Sequence, residues 1–187
     1  MKFSTAVFSH FLKIITFAVL IFLFSCKKDE STTPVFDTAK QALKDDTILV
    51  KYFEANGLSS LVTKTSSGLY YRKTKITPDS IGPGPDSLYP NPDFKEMKDG
   101  DLVFIRYEGR LLNDTLFDGN LLSANAFQFR PGFSSVISGW NEGVRLFKKS
   151  EEGYLYLPSG LAYRNAAQGK IPASSCIKFF IRIANIE

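Results

Sequence analysis

The longest apolar run of the chain lies close to its amino terminus. Residues 14–24 are eleven consecutive positions that are all apolar except Thr16, and Lys2 and Lys13 place positive charge before them. A secretory h-region has about this length, whereas a helix that crosses a bilayer needs roughly 20 apolar residues. The pattern therefore predicts a signal peptide over residues 1–25.

A second pattern, with helical periodicity, follows a polar stretch. Asp37 is a residue type that caps helices, apolar side chains then recur one turn apart, and Asn56-Gly57 can end the helix. The sequence predicts a helix from residue 37 to about residue 54. Residues 69–75 carry β-branched and aromatic side chains and predict a strand.

Prolines interrupt the pattern after this strand. Five of the nine prolines lie within residues 77–100, namely Pro78, Pro83, Pro85, Pro90 and Pro92. Because proline fixes φ and lacks the backbone N–H, this density excludes regular structure and predicts a linker or a long exposed loop.

Beyond this stretch, short strands dominate. Four segments have the strand pattern, residues 102–112, 127–129, 154–157 and 176–186. In the last of them alternate residues face one side, namely Ile177, Phe179, Ile181 and Ile183. One short helix is predicted from Trp140, Val144 and Phe147, which are spaced i, i+4, i+7. The predicted fold class is α+β, a curved antiparallel β-sheet wrapped over one short α-helix and preceded by the amino-terminal helix, strand and proline-rich linker.

Charge and histidine content exclude several classes of function. Without residues 1–25, the chain has 21 Lys and Arg (23 less Lys2 and Lys13) against 19 Asp and Glu. This near balance of charge gives no sign of a basic surface that binds nucleic acid. The only histidine, His10, lies in the same segment. The mature protein would then have no imidazole for a triad, a proton relay or a histidine-containing metal site, and we expect neither a metal nor a cofactor.

The cysteine directly after the apolar run suggests a membrane anchor. Residues 23–26, Leu-Phe-Ser-Cys, resemble a lipobox, in which the peptide is cleaved before Cys26 and the cysteine is acylated. Each buried methylene contributes roughly 0.8 kcal/mol, so two or three acyl chains would hold the protein on the membrane. We expect a lipoprotein of the bacterial envelope, on the periplasmic or the surface face of the outer membrane; the alternative is a signal anchor with an incidental cysteine. Cys176 is then the one remaining thiol, and we expect a strand residue there rather than a nucleophile.

Six linked motifs in the second half of the chain carry a resemblance. They are residues 101–109 (DLVFIRYEG), 116–118 (LFD), 127–129 (FQF), 136–144 (VISGWNEGV), 157–158 (LP) with 161–163 (LAY), and 171–172 (IP), followed by Phe179. Their order and spacing resemble the signature of FK506-binding-type peptidyl-prolyl cis/trans isomerases. The preceding helix, strand and lipobox are similar to the amino-terminal region of Bacteroidetes lipoprotein isomerases of this type.

The patterns and the resemblance together predict five segments. They are a signal peptide at 1–25, the lipidated cysteine and tether at 26–36, a helix and strand extension at 37–76, a Pro/Gly-rich linker at 77–96, and the isomerase domain at 97–187. Within the linker, residues 79–81 (DSI) and 86–88 (DSL) resemble O-glycosylation acceptor sites of Bacteroidetes, or are chance tripeptides in an exposed segment.

The resemblance implies a proline pocket and the role of each residue in it. Asp118 and the Tyr107 hydroxyl would form a polar edge, the Ile137 amide would bind a substrate carbonyl, and Tyr163 would donate a second hydrogen bond. The pocket would be lined by Phe117, Phe127, Val136, Ile171 and Phe179, with Trp140 as its floor. Taken singly, aromatic residues on alternating strands would ordinarily be core, and Phe129, Val144 and Phe147 are assigned to the core.

The implied function is cis/trans isomerisation of X-Pro bonds in envelope or surface proteins. Proline-containing chains would be the substrates, and a macrolide of the FK506 type is a possible ligand. Rotation of the bond requires no nucleophile, proton shuttle or metal, so a histidine-free chain is compatible with it. The alternative is a non-catalytic peptide-binding or chaperone lipoprotein that uses the same pocket.

Two residues and one loop length depart from the family pattern. Ser150 stands where the family commonly has glycine before the strand at Tyr154. Arg164 also replaces a common glycine, and the segment 164–170, a loop that overhangs the pocket in the family, is about one residue short. Peptide preference, macrolide affinity and turnover therefore do not follow from the motifs alone.

Overall fold

The computed structural model describes residues 37–74 and 97–187. The predicted signal peptide, Cys26, the tether and the linker with its two tripeptides lie outside the described residues. The elements are α1 (Thr38–Ala55), β1 (Thr63–Lys64), β2 (Tyr70–Thr74), β3 (Val103–Leu111), β4 (Leu116–Gly119), β5 (Phe127–Phe129), α2 (Ser138–Gly143), β6 (Glu152–Leu157) and β7 (Ile177–Ile186), with 3₁₀ turns at Val144–Leu146 and Ser159–Leu161.

The strands form one antiparallel sheet of seven strands. The order is β1-β2-β6-β7-β3-β4, and β5 also pairs with β3. The long strand β3 pairs with β7 along one edge, while β5 and β4 share its other edge. The predicted fold class is confirmed, and β2 shows that the predicted amino-terminal strand belongs to this sheet, next to β6.

The main core lies between the sheet and α2. Alternate residues of β7 are buried on this face, as the pattern predicts, and so are Trp140, Val144 and Phe147. The helix lies very close to β6, because a Cβ at Gly139 would be 2.3 Å from Cδ2 of Leu157. This close approach presents Trp140 to the rings of the sheet.

The first helix packs against the other face of the sheet. Leu49 and Phe53 are buried against Tyr156 of β6, whereas Leu155 of the same strand belongs to the main core. Since successive strand residues point to opposite faces, α1 and α2 cover opposite sides of the sheet. Asp37 caps α1 by accepting from the Lys40 N–H at 3.0 Å, as predicted.

The boundaries of the predicted elements agree with the structure to within two residues, and two short strands were not predicted. The predicted helix at 37–54 is α1, which ends at Ala55 and is followed by Asn56 as its cap. The unpredicted strands are β1, which has two residues, and β4, which has four. Within the described ranges, no helix combines the length and apolarity needed to cross a membrane.

Candidate active site

Four aromatic rings from four different elements converge at one end of the main core. The indole of Trp140 on α2 lies 4.8 Å from the ring of Tyr107, 5.6 Å from that of Phe127 and 5.2 Å from that of Phe179, centroid to centroid. All three pairs are edge-to-face, which is a favourable geometry for aromatic rings. We call these four residues the aromatic cup.

The sheet register explains why these rings meet. Tyr107 continues the inward-facing alternation of Val103 and Ile105 on β3, and Phe179 lies opposite Gly109 of the same strand. A Cβ at Gly109 would lie 2.5 Å from Phe117 and 2.7 Å from Phe179, so glycine permits these two rings to approach to 5.6 Å. Gly109 lies in the motif of residues 101–109, but the sequence pattern alone does not indicate this packing role.

The floor of the cup is apolar. Trp140 is 5 % exposed, and its indole Nε1 is buried without a hydrogen-bond acceptor in the part of the chain that the structure describes. Ile171 is also buried in this cluster, and the partly buried side chains packed against it include Phe117, Val136, Ile137 and Tyr163. Of the residues that the resemblance assigned to the pocket lining, the structure joins Phe117, Phe127, Trp140 and Phe179 by ring contacts, and it places Val136 and Ile171 in the same core.

A polar edge borders the cup. The Tyr107 hydroxyl donates to Oδ2 of Asp118 at 2.8 Å. Burial, and then the hydrogen bond to Asp118, raise the pKa of Tyr107 well above its usual value. Burial also raises the pKa of Tyr163, and the negative charge of Asp118 raises it further. Both phenols therefore stay protonated at neutral pH and remain hydrogen-bond donors.

Asn120 holds the segment after β4 against β3. Its Oδ1 accepts from the Tyr107 N–H at 2.7 Å, its N–H donates to the Tyr107 carbonyl at 2.9 Å, and its Nδ2 donates to the Ile105 carbonyl at 3.1 Å. These three bonds position the strand residue whose side chain enters the cup. Asn120 was not among the predicted site residues, because its partners are known only from the sheet.

Ile137 presents a free amide at the start of α2. Its carbonyl accepts from the Trp140 N–H at 2.9 Å, while its own N–H donates to no acceptor within the described residues. The side chain is half-buried against the same core as the cup. An amide in this position is available to a bound peptide.

A cleft of about 290 Å³ lies beside the cup rather than directly over the indole. It shares Phe117 and Asp118 with the site, and its remaining wall is Glu108, Leu116, Lys170 and residues 119–123. Leu116 and Leu122 in this wall are exposed, as is Phe127 of the cup. Apolar side chains are thus exposed at the cleft and at the edge of the cup.

The two departures from the family pattern occupy unusual backbone positions. Arg164 has φ +55° and Ser150 has φ +67°, in the left-handed region that glycine adopts without a Cβ clash. The Arg164 N–H and carbonyl are nevertheless both bonded, to the Ser159 carbonyl at 2.8 Å and the Ser174 N–H at 2.7 Å. The shortened loop is thus held by backbone hydrogen bonds. Within the described residues, no group of three or more His, Cys, Asp or Glu side chains is placed to hold a metal ion.

Comparison with known proteins identifies the family of this chain. The family profile described as "FKBP-type peptidyl-prolyl cis-trans isomerase" matches residues 94–184. FK506-binding protein 2 of Debaryomyces hansenii is 35% identical over 91 residues, which are 49% of this chain and 67% of that protein. The chain belongs to the FKBP-type peptidyl-prolyl cis-trans isomerase family. The probable FKBP-type isomerase FkpA of Neisseria meningitidis is 35% identical over 136 residues, 72% of this chain and 44% of its own length.

The alignments cover only part of the length of several relatives. The chain spans less than half of the Neisseria protein and 49% of FkpA from Aeromonas hydrophila, to which it is 30% identical over 148 residues. Among solved structures, FkpA from Escherichia coli has a TM-score of 0.59 at 23% identity. The alignment covers 100% of this chain and 74% of the FkpA chain. AtFKBP13 has a TM-score of 0.53 at 25% identity, and the alignment covers 67% of this chain and 98% of the AtFKBP13 chain. The first of these similarities concerns the fold alone.

Proposed function

We propose that this chain is a peptidyl-prolyl cis/trans isomerase that binds the proline ring of its substrate in the aromatic cup. The observation that carries the proposal is the meeting of three rings around Trp140, bordered by the hydrogen-bonded pair Tyr107 and Asp118. Membership of the family supports the same activity.

The chemistry required is modest. The barrier of roughly 18–20 kcal/mol to rotation of an X-Pro bond comes from the amide resonance that is lost in the twisted state. In that state the carbonyl oxygen carries less negative charge than in either planar form. A water-poor cup that holds the pyrrolidine ring while the carbonyl rotates therefore favours the twisted state over the planar ones.

The polar groups would hold the flanking peptide. The free N–H of Ile137 would donate to a substrate carbonyl, and the protonated Tyr163 hydroxyl would donate near the rotating bond. Asp118 would fix the Tyr107 ring through its hydroxyl. No step transfers a proton, so the raised pKa values of the two tyrosines serve to keep both groups as donors.

Substrates would be folding proteins of the bacterial envelope. Uncatalysed X-Pro exchange takes tens to hundreds of seconds, which is slow compared with other folding events. The predicted signal peptide and acylated Cys26 would place the enzyme on the outer membrane, at its periplasmic or surface face. Replacing Cys26 with serine should move the protein from the membrane to the soluble fraction and abolish labelling with palmitate; unchanged membrane retention would contradict the anchor.

A non-catalytic role is the second candidate. The exposed apolar side chains of Leu116, Leu122 and Phe127 favour it, because such side chains can hold unfolded segments without isomerising their X-Pro bonds. An FK506-type macrolide would bind in the same cup under either proposal, so macrolide binding alone does not separate them.

Refolding kinetics separate the two candidates. The full chain, with detergent present, is added to a substrate protein whose refolding is limited by a proline isomerisation, and the slow phase is timed. Acceleration that is lost in Asp118→Leu and reduced in Tyr163→Phe supports the isomerase. Suppression of aggregation with an unchanged slow phase would overturn it in favour of the holding module.

A further inference from the structure

The first helix carries a fully buried acidic residue. Asp45 is 0 % exposed, and its carboxylate accepts three hydrogen bonds. Gln41 Nε2 donates to Oδ1 at 2.7 Å, and the N–H and hydroxyl of Ser159 donate to Oδ2 at 2.8 and 2.6 Å. All three donors are neutral groups, and two of them come from one residue that is 114 positions away in the sequence.

Ser159 connects this carboxylate to the turn that carries Tyr163. Ser159 is also 0 % exposed, and its carbonyl accepts from the Ala162 N–H at 3.0 Å and from the Arg164 N–H at 2.8 Å. Tyr163 lies between these two residues. The Ser159 carbonyl therefore holds the backbone on both sides of Tyr163. Ser159 is itself held by Asp45 of α1.

A carboxylate is a costly way to attach a helix. Burial of an ionised group costs several kcal/mol before its hydrogen bonds offset the loss, and an apolar side chain of similar size would avoid this cost. Leu49 and Phe53 already supply the apolar contact between α1 and the sheet. A group that accepts from the N–H and the hydroxyl of one residue at once is instead suited to fixing the orientation of that residue.

We propose that Asp45 is a positioning residue for the isomerase site, which holds Ser159 and, through the Ser159 carbonyl, sets the place of the Tyr163 hydroxyl at the edge of the aromatic cup. The proposal deepens the proposed function and rests on it for its effect on rate. In this arrangement α1 is part of the support of the active site, although it contributes no residue to the cup.

The adjacent residue provides a matched control. Asp46 also joins α1 to the sheet, by accepting from Lys64 and from the Tyr70 hydroxyl at 2.8 Å, but it does not contact Ser159. Asp46→Asn therefore weakens the docking of the helix without touching the Tyr163 turn. Asp45→Leu removes the acceptor of Ser159 and keeps the number and branching of the side-chain heavy atoms, and Asp45→Asn keeps an amide oxygen that can still accept from Ser159.

The first measurement is the rate of isomerisation of an X-Pro tetrapeptide by the full chain. We expect kcat to fall about tenfold in Asp45→Leu with KM changed less than about twofold, because the Tyr163 hydrogen bond acts while the peptide bond is twisted. Asp45→Asn should recover most of the loss, and Asp46→Asn should stay within about twofold of the wild type. Equal losses in Asp45→Leu and Asp46→Asn would show that only helix docking matters, and would overturn the proposal.

The second measurement does not depend on catalysis. Hydrogen exchange of the peptide covering residues 158–166 should be at least about tenfold faster in Asp45→Leu and unchanged in Asp46→Asn. If the wild type catalyses no isomerisation, the proposed function fails, while the exchange rates still decide whether Asp45 holds the turn.

If Asp45→Leu does not fold, Ser159→Ala provides the test, because it loses only the hydroxyl bond to Asp45. It should show the same effects at smaller size. Unchanged exchange and kcat in the folded Ser159→Ala variant would refute the role of Asp45.

Discussion

Gly109 provides a direct test of how tightly the site is packed. It lies in β3 opposite Asp118 of β4 on one side and Phe179 of β7 on the other. A Cβ at this position would lie 2.5 Å from Cε2 of Phe117 and 2.7 Å from Cε1 of Phe179. Carbon atoms in ordinary contact are about 3.5–4.0 Å apart, so the change Gly109→Ala forces both rings, or the backbone of β3, to move by about 1 Å.

The two rings differ in their freedom to move. Phe179 is 3 % exposed and packs against Trp140, whereas Phe117 is half-buried at the rim. We therefore expect Phe117 to be displaced further than Phe179. Overpacking of this kind costs about 1–3 kcal/mol, and a displacement of about 1 Å in a binding residue can lower the rate up to about a hundredfold. We expect a loss of about 2 kcal/mol in the free energy of unfolding and about tenfold in kcat/KM.

Urea unfolding followed by fluorescence is the assay, since Trp140 is the only tryptophan of the chain. With an m-value of about 2 kcal/mol per molar urea, a loss of about 2 kcal/mol lowers the midpoint by about 1 M. Gly160→Ala is the control, because a Cβ there meets no atom within 4 Å, and it should change stability by less than about 0.5 kcal/mol. A Gly109→Ala midpoint equal to that of the wild type would refute the packing argument.

Three further predictions concern a strained turn, alkaline pH and the first helix. Ser150→Gly should raise the free energy of unfolding by about 0.5–1 kcal/mol, because the left-handed penalty of about 1–2 kcal/mol exceeds the entropy cost of glycine of about 0.5–1 kcal/mol; a lower urea midpoint would contradict it. Burial raises the pKa of Tyr156 from 10.0 to about 12 and that of Cys176 from 9.0 to about 12, so the folded protein keeps protons that the unfolded chain releases. The stability linked to these groups is fully present below pH 9 and is lost as the pH rises through about 12. In Cys176→Ala this loss of stability should begin at about pH 10 instead. Urea midpoints that do not change with pH would exclude the effect. Phe53→Ala, at 2 % exposure, should lower the free energy of unfolding by about 3–5 kcal/mol, whereas Leu43→Ala, at 72 % exposure, should change it by less than about 0.5 kcal/mol; similar losses would disprove the docking of α1.

Local periodicity was sufficient to predict the elements that bury one regular face. In β7 alternate residues from Ile177 to Ile183 point to the core, and in α2 and its 3₁₀ extension Trp140 and Val144 do so one turn apart. The four residues of β4 have no such pattern, because only Phe117 among them is partly buried. An edge strand of this kind is defined by its pairing with β3, which the sequence does not display.

Only the residues of the candidate site that lie in the family motifs could be predicted from the sequence. Each ring of the cup lies on a different element, and the register of β3 and β7 places Phe179 opposite Gly109. Single residues such as Phe127 looked like core, and their common role followed from the resemblance. Asn120 and Gly109 could not be assigned, because a hydrogen bond to a neighbouring strand and a close approach of two rings are properties of the assembled sheet.

The position of α1 shows why the folded unit of this chain extends beyond the family match. Residues 94–184 include Tyr156 and Cys176, whose burial depends on Leu49 and Phe53 outside that range. Without residues 37–74, the face that α1 covers would be exposed, β6 would lose its pairing with β2 and become an edge strand, and the buried N–H of Ser159 would lose its acceptor. An acidic residue in an amphipathic helix is normally read as a surface position, so this dependence could not be inferred from the sequence. Since both β2 and β3 belong to one sheet, the helix, the added strand and the pocket form one folding unit.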